Sequence, residues 1–158
     1  MTLPELFLPR LSDWRPAGTG RHSWSEAFPA AGWSVRLAAD KADSLSCLVW
    51  ELTLTRTADA PAGLTLSAWA SATASRVGGL LEPLKVHEID EARGEAVLRS
   101  VAPTKKGDSL AYYEVLLTGT TTAVVRRFYA TRVESGRAQI AFALTHETLA
   151  KLAGDIAG

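Results

Sequence analysis

The sequence runs LKVHEID (84–90), EAVLRSVA (95–102), LAYYEVLLT (110–118), TTAVVRRFYATRV (121–133) and AQIAFAL (138–144). These five segments within residues 83–144 decide the fold, because each is rich in the β-branched and aromatic residues that favour strands. Glycine-containing connections such as TKKGDS and TGT separate them, as in hairpins. The stretch therefore predicts an antiparallel meander.

The alternation within the meander assigns side chains to faces of the sheet. Tyr113, Val115 and Leu117 share one face of their strand. In the next strand one face carries two arginines in phase with apolar residues: Val124, Arg126, Phe128, Ala130 and Arg132. Such arginines either extend their charged heads to water near an edge, which is the usual outcome, or face a groove where something acidic binds.

The flanking segments add strands and helices. WSVRL (33–37) and LSCLVWELTLTR (45–56) alternate like strands, the second with Trp50 in phase with Leu52 and Leu54. Residues 64–81 have helical spacing with Thr65 as the N-cap, and a short closing helix follows a second cap at Thr145. We therefore expect an α+β domain, in which a twisted antiparallel sheet of about six strands packs against one long helix and a short C-terminal helix.

The first 27 residues are predicted to form an irregular N-terminal arm, followed by a single α+β domain over residues 28–158. Prolines at positions 4 and 9 and the segment RPAGTG argue against a helix in the arm. Its apolar side chains must pack either on the parent sheet, which we favour, or on a partner.

Composition limits the classes of partner. Lysine plus arginine (17) equals aspartate plus glutamate (17), which removes the electrostatic argument for nucleic acid or anionic membrane as the main partner. The sequence contains neither a basic start followed by an apolar leader nor an apolar run of about 18 residues. We therefore expect no membrane span and a cytoplasmic location.

No set of residues predicts catalysis, a cofactor or a metal site. The single cysteine, Cys47, lies in an apolar run where a buried, inert thiol is expected. The three histidines do not have metal-ligand spacing. Residues 107–110 spell the GDSL signature of a class of esterases, but they lie in an apparent hairpin turn, which by itself accounts for the glycine, aspartate and serine.

The aromatic residues supply the candidate binding sites. Trp14 and Trp24 lie in weakly patterned sequence and are predicted, with Arg126 and Arg132, to contact a partner. A pocket between the sheet and the helix is the other candidate site, with four predicted lining residues: Trp50, Trp69, Tyr113 and Phe128.

The order of elements resembles the PsbP-like fold family, which includes the photosystem PsbP proteins, the Ran-binding Mog proteins and the bacterial chaperones associated with type VI secretion effectors. The resemblance spans about residues 28–156, and the arm has no counterpart in it. It rests on six segments: Phe28 to Trp33, Leu48 to Arg56, Leu66 to Leu81, Ala111 to Val115, Arg126 to Ala130 and Gly136 to Leu144. The known activities of that family are binding, scaffolding and chaperoning, and these are what the resemblance implies.

Three functions therefore follow as hypotheses. The first is a non-catalytic protein-binding adaptor or chaperone-like domain that uses a sheet face or edge opposite the helix. The second is a small-ligand-binding or enzymatic domain with its pocket between sheet and helix. The third is a structural subunit of a larger assembly, docked through the N-terminal arm.

Overall fold

A computed structural model describes all residues, 1–158. The prediction of an α+β fold with an antiparallel sheet is confirmed, but the sheet has ten strands and not about six. Three of the strands are only three or four residues long and pair with longer neighbours. The segment 138–144, predicted as one strand, is divided between two of them. The strands are β1 (His22–Phe28), β2 (Trp33–Ala42), β3 (Ser46–Arg56), β4 (Leu84–Asp90), β5 (Glu95–Ser100), β6 (Thr104–Lys106), β7 (Ser109–Thr118), β8 (Thr122–Thr131), β9 (Ala138–Ile140) and β10 (Phe142–Thr145).

Seven strands form the main path of the sheet, in the order β1-β2-β3-β8-β7-β5-β4, and every pairing is antiparallel. The three short strands lie off this path, where β6 pairs with β7, β9 with β8 and β10 with β3. Strands β3 and β8 pair over only four residues each. Beyond that point β9 pairs with the later part of β8 and β10 with the earlier part of β3.

Three helices pack on one face of the sheet: α1 (Leu3–Asp13), α2 (Leu66–Arg76) and α3 (His146–Ala157). Phe7 of α1 stacks on Trp24 with ring centroids 5.8 Å apart. Trp69 of α2 packs on Trp33, and its Nε1 donates a hydrogen bond to the carbonyl of Ile156 in α3. Apolar side chains of all three helices and of the strands below them form one buried cluster of 31 residues.

The prediction that the N-terminal segment is irregular is wrong, because residues 3–13 are helical and 22–28 form the edge strand β1. Thr2 caps the helix, and its hydroxyl and backbone groups exchange hydrogen bonds with Glu5. Proline is favoured at the start of a helix, so Pro4 does not oppose it. Pro9 removes one internal hydrogen bond, but burial of Leu3, Phe7 and Leu11 at four-residue spacing offsets that loss. Helix α1 and strand β1 therefore pack on the parent domain.

The predicted helix over 64–81 is shorter in the structure. The caps at Thr65 and Thr145 are confirmed, since each hydroxyl accepts a hydrogen bond from a backbone N–H three residues later. However, α2 ends at Arg76, and the Gly78–Gly79 pair disfavours continuation. The helix has 11 residues and α3 has 12, so the chain does not have one long helix beside a short one.

Candidate functional site

The sheet face opposite the three helices has no helix over it, and we call it the open face. Tyr112 and Phe128 show where it lies: they are only 9% and 8% exposed, yet neither belongs to the core cluster. They alternate with the core residues Tyr113 and Val125, so they point away from the helices. Strand register arranges the side chains of the open face into rows that run across the strands.

The first row is aliphatic. Val97 of β5 pairs with Leu116 of β7, which pairs with Val124 of β8. All three side chains are half-buried although no element covers them. We call these three residues the apolar row.

The neighbouring row is charged, with two cations side by side at the β4 end and alternating signs from Arg99 onward. Lys85 of β4 pairs with Arg99 of β5, Arg99 with Glu114 of β7, and Glu114 with Arg126 of β8. Arg126 Nε in turn donates to Glu51 Oε2 of β3 at 2.8 Å. We call these five residues the charged row.

Glu114 holds the charged row together. Its side chain is 7% exposed and accepts from Arg99 Nε at 3.1 Å. It also accepts from both terminal nitrogens of Arg137, at 2.9 and 3.2 Å. This two-pronged contact fixes the plane of the guanidinium. Burial lowers the pKa of Arg137, but hydrogen bonds with Glu114 and Tyr112 outweigh that effect and raise the pKa above its ordinary value, so the group is charged.

Aromatic rings lie beside the charged row. Tyr112 and Phe128 face each other across β7 and β8 with centroids 6.0 Å apart. The Arg137 guanidinium lies 3.6 Å from the centre of the Phe128 ring and donates to the Tyr112 hydroxyl. The Arg99 guanidinium lies 5.3 Å from the centre of the Tyr112 ring. The two arginines therefore cover the two rings, which explains why the rings are buried without a covering helix.

The two arginines predicted to contact a partner both belong to the open face, in different surroundings. Arg126 is held by Glu51, and its side chain is 33% exposed. Arg132 follows the end of β8, is exposed and makes no salt bridge. It lines a hollow of about 170 Å³ together with Lys105, Asp108 and Leu110.

The two tryptophans predicted to contact a partner lie elsewhere. Trp24 is stacked on Phe7 on the helix-covered face, and Trp14 packs on Trp24 at 6.5 Å. Both are half-buried and pack against the core. Their contacts within the chain fix α1 on the sheet.

The four residues predicted to line one pocket are not brought together. Trp69 of α2 and Tyr113 of β7 lie in the core between the helices and the sheet. Phe128 lies on the open face, and so does Trp50, which stacks under Arg21 at 3.6 Å. The expected phase of Trp50 with Leu52 fails because a β-bulge interrupts the register: Glu51 pairs with Ala38, and Val49 with Ala39, so Trp50 has no partner.

A shallow basic groove lies at the β4–β5 end of the open face, with a volume of about 250 Å³. Lys85, His87, Arg99 and Tyr112 line it, together with residues of the loop before β6. The Arg99 guanidinium lies 3.2 Å from Nε2 of His87. We call this feature the basic groove.

The largest cavity is a groove of about 710 Å³ on the other side of the molecule, between the start of α1 and α3. Leu3, Leu8 and Trp33 line it, with small residues of α3 such as Ala150 and Gly154. None of the four residues of the predicted pocket contributes to it.

The groups that could support covalent chemistry are held in inert settings. Burial, reinforced by the charge of Asp43, raises the pKa of the Cys47 thiol to about 11, so the thiol is protonated at neutral pH. Gly107 adopts φ +61° in the turn between β6 and β7, and the Ser109 hydroxyl donates to the Lys106 carbonyl at 2.7 Å. The GDS sequence is thus occupied in making a hairpin turn.

A buried ion pair lies on the helix-covered side. Arg127 Nη2 donates to Glu82 Oε2 at 2.9 Å, and the Thr104 hydroxyl donates to the same oxygen. Burial raises the pKa of Glu82, but the hydrogen bonds from Arg127 and Thr104 outweigh it and hold the pKa below its ordinary value. These contacts join the loop after α2 to β6 and β8, which supports the sheet beneath the open face.

Comparison with known proteins gives no match to a protein-family model, a curated protein or a solved structure. No group of three or more histidine, cysteine, aspartate or glutamate side chains is arranged to hold a metal ion. None of the three helices has the length and apolarity needed to cross a lipid bilayer.

Sequence reasoning identified Arg126 but missed Glu51, Arg99, Glu114 and Arg137. The alternation of β7 did place Glu114 opposite the core face, in phase with Tyr112 and Leu116. The phase of Glu114 was the signal in the sequence for these ion pairs, because a carboxylate between aromatic and aliphatic neighbours on a sheet face needs a charged partner.

Proposed function

We propose that this protein is a non-catalytic protein-binding adaptor or chaperone, and that its partner binds on the open face. The observation that carries the proposal is a sheet face without a helical layer, on which tyrosine, phenylalanine, tryptophan and arginine side chains lie together. Aromatic residues and arginine are enriched at protein interfaces, where they supply most of the binding energy.

The ion pairs of the open face favour binding for a second reason. Arg99, Arg126 and Arg137 are already held by carboxylates, so little side-chain entropy is lost when a partner covers them. The apolar row beside them offers half-buried aliphatic surface that a partner would bury fully. The resemblance of the sequence to the PsbP-like family, whose members bind or chaperone other proteins, supports the same function.

The test is affinity capture from a lysate of the native host with three matched baits. These are the wild type, Leu116→Gln in the apolar row, and the control Leu81→Gln. The control makes the same chemical change at a side chain that is 99% exposed and lies outside the sheet. We expect one stoichiometric protein that the wild type and Leu81→Gln retain and Leu116→Gln loses. Urea unfolding of all three baits checks that each is folded.

A protein captured equally by all three folded baits would refute binding on the open face. Absence of any captured protein, together with turnover of an ester or phosphate substrate that a Ser109 or His87 substitution abolishes, would replace the proposal with an enzymatic one.

A small-ligand-binding function is the second candidate, because the groove between α1 and α3 has the size and apolar lining of a ligand pocket. Native mass spectrometry of freshly purified protein tests it. A bound small molecule in the wild type that is lost in Ala30→Trp, which fills the groove from its exposed rim, supports this candidate. Wild-type protein at the mass of the chain alone contradicts it.

A further inference from the structure

The open face carries an excess of positive charge at one end. The charged row and Arg137 together contain four cations (Lys85, Arg99, Arg126, Arg137) and two carboxylates (Glu51, Glu114). Both carboxylates are engaged with arginines, and Lys85 makes no salt bridge. This unpaired lysine lines the basic groove.

Further unpaired cations extend the basic end beyond the row. Lys105 and Arg132 are exposed and make no salt bridge. Both line the hollow beside Leu110, and Asp108 is the one carboxylate that lines this hollow. Leu110 lines both this hollow and the basic groove, so the two depressions adjoin at this residue.

Two acidic residues of the β4–β5 hairpin lie on the open face on the side of the turn that joins these strands. Glu88 pairs with Val97, which is the next residue of β5 on this face after Arg99, and Glu95 pairs with Thr118 one position farther along. On the β4–β5 hairpin, Glu88 and Glu95 therefore lie on the side of the turn at residues 91–94, which also contains Arg93, and Lys85 and Arg99 lie on the side of β6.

We propose that the basic groove and the adjoining hollow bind an acidic, extended peptide segment of the protein partner. The inference rests on the proposed function and specifies its partner chemistry. Arg99 of the groove pairs with Glu114, and Lys105 of the hollow pairs with Leu110, four residues away along β7. A rise of about 3.4 Å per residue therefore places the two cations roughly 14 Å apart. A single phosphate ion contacts only one of these cations at a time, whereas an extended peptide reaches several.

The neighbouring surface also selects a peptide over a polyphosphate chain. Lys85 and Arg99 line the groove beside Tyr112, and the apolar row borders the charged row. A peptide can place acidic side chains against Lys85 and Lys105 and an apolar side chain against Tyr112, since alternate residues of an extended chain share one face. A uniformly charged polyphosphate would bring a phosphate against Asp108, the carboxylate that lines the hollow.

The test is a titration of ¹⁵N-labelled full-length protein with acetylated hexaglutamate, with acetylated hexaglutamine as the uncharged control. We expect hexaglutamate to shift the backbone amide signals of Lys85, Val101 and Leu110, and hexaglutamine to leave them in place. Lys85→Gln is expected to weaken the affinity by up to about fivefold, the equivalent of an exposed ion pair.

Arg36→Gln is the matched control. Arg36 is also an exposed cation of the open face without a salt bridge, but it lies on β2, five strands from β4. We expect its affinity for hexaglutamate to equal that of the wild type. Equal weakening in both variants, absence of amide shifts, or equally strong shifts with inorganic phosphate at the same concentration of charge would each overturn the inference.

The two proposals fail in different ways. Suppose that Leu116→Gln loses the captured partner, whereas Lys85→Gln retains it and the wild type retains it at 0.5 M salt, which screens charges beyond about 4 Å. Binding of an acidic segment is then refuted, and the adaptor function stands. If hexaglutamate binds as expected but no lysate protein depends on Leu116, the groove binds acidic peptides and the proposed adaptor function on the apolar row is refuted.

Discussion

Replacing Glu114 by glutamine perturbs the centre of the open face with almost no change in volume. The carboxylate accepts three charge-assisted hydrogen bonds from Arg99 and Arg137 and is only 7% exposed. A glutamine retains one acceptor oxygen and turns an N–H₂ group toward an arginine, so at least one such bond is lost.

The loss of folding free energy in Glu114→Gln depends on how exposed Arg99 and Arg137 are. Removing one partner of a fully buried ion pair costs about 3–5 kcal/mol. Here the arginine side chains are 32% and 36% exposed, so water rehydrates part of each guanidinium. The cost therefore falls toward that of one charge-assisted hydrogen bond, about 2 kcal/mol. For a domain of this size that corresponds to a decrease in Tm of about 4–8 °C.

Urea denaturation followed by tryptophan fluorescence measures the effect, since the chain contains five tryptophans. Glu51→Gln is the matched control, because Glu51 is 21% exposed and bonds one arginine that is 33% exposed. We expect a loss below about 1 kcal/mol for Glu51→Gln, as for surface pairs. Equal losses for the two variants would refute the central role assigned to Glu114.

Three further outcomes are expected from the helix-covered side. Phe7→Ala should lower the free energy of unfolding in urea by about 3–5 kcal/mol, because the ring is fully buried against Trp24, and a loss below about 1 kcal/mol would show that α1 is not docked. Burial and the nearby Arg15 lower the pKa of His146, so the unfolded chain binds this proton first and stability should fall as pH drops below about 6.5. That fall should be shallower in His146→Gln, and identical pH profiles for the two proteins would contradict the cause. Cys47 should react with a thiol reagent only after unfolding in urea, and prompt reaction of the native protein would disprove its burial.

The sequence by itself determined the local structure wherever the pattern was long and regular. Residues 84–90 were predicted as a strand and form β4 with the same bounds, because alternation and flanking turns are local properties. The caps at Thr65 and Thr145 were predictable for the same reason, since a cap bonds a backbone N–H only three residues away. The face shared by Arg126 and Phe128 also followed from alternation alone.

Tertiary structure alone decided which residues from distant parts of the chain become neighbours. Arg126 and Glu51 are 75 residues apart in the chain, and only the pairing of β3 with β8 brings them within 2.8 Å. The bulge at Trp50 moved that ring to the open face, because one unpaired residue reverses the phase of the strand. Helix α1 forms despite Pro9 because the sheet and α3 bury its apolar side, a contribution that local propensity does not contain. The candidate site is therefore a product of strand register, which the sequence encodes only through the packing of the whole chain.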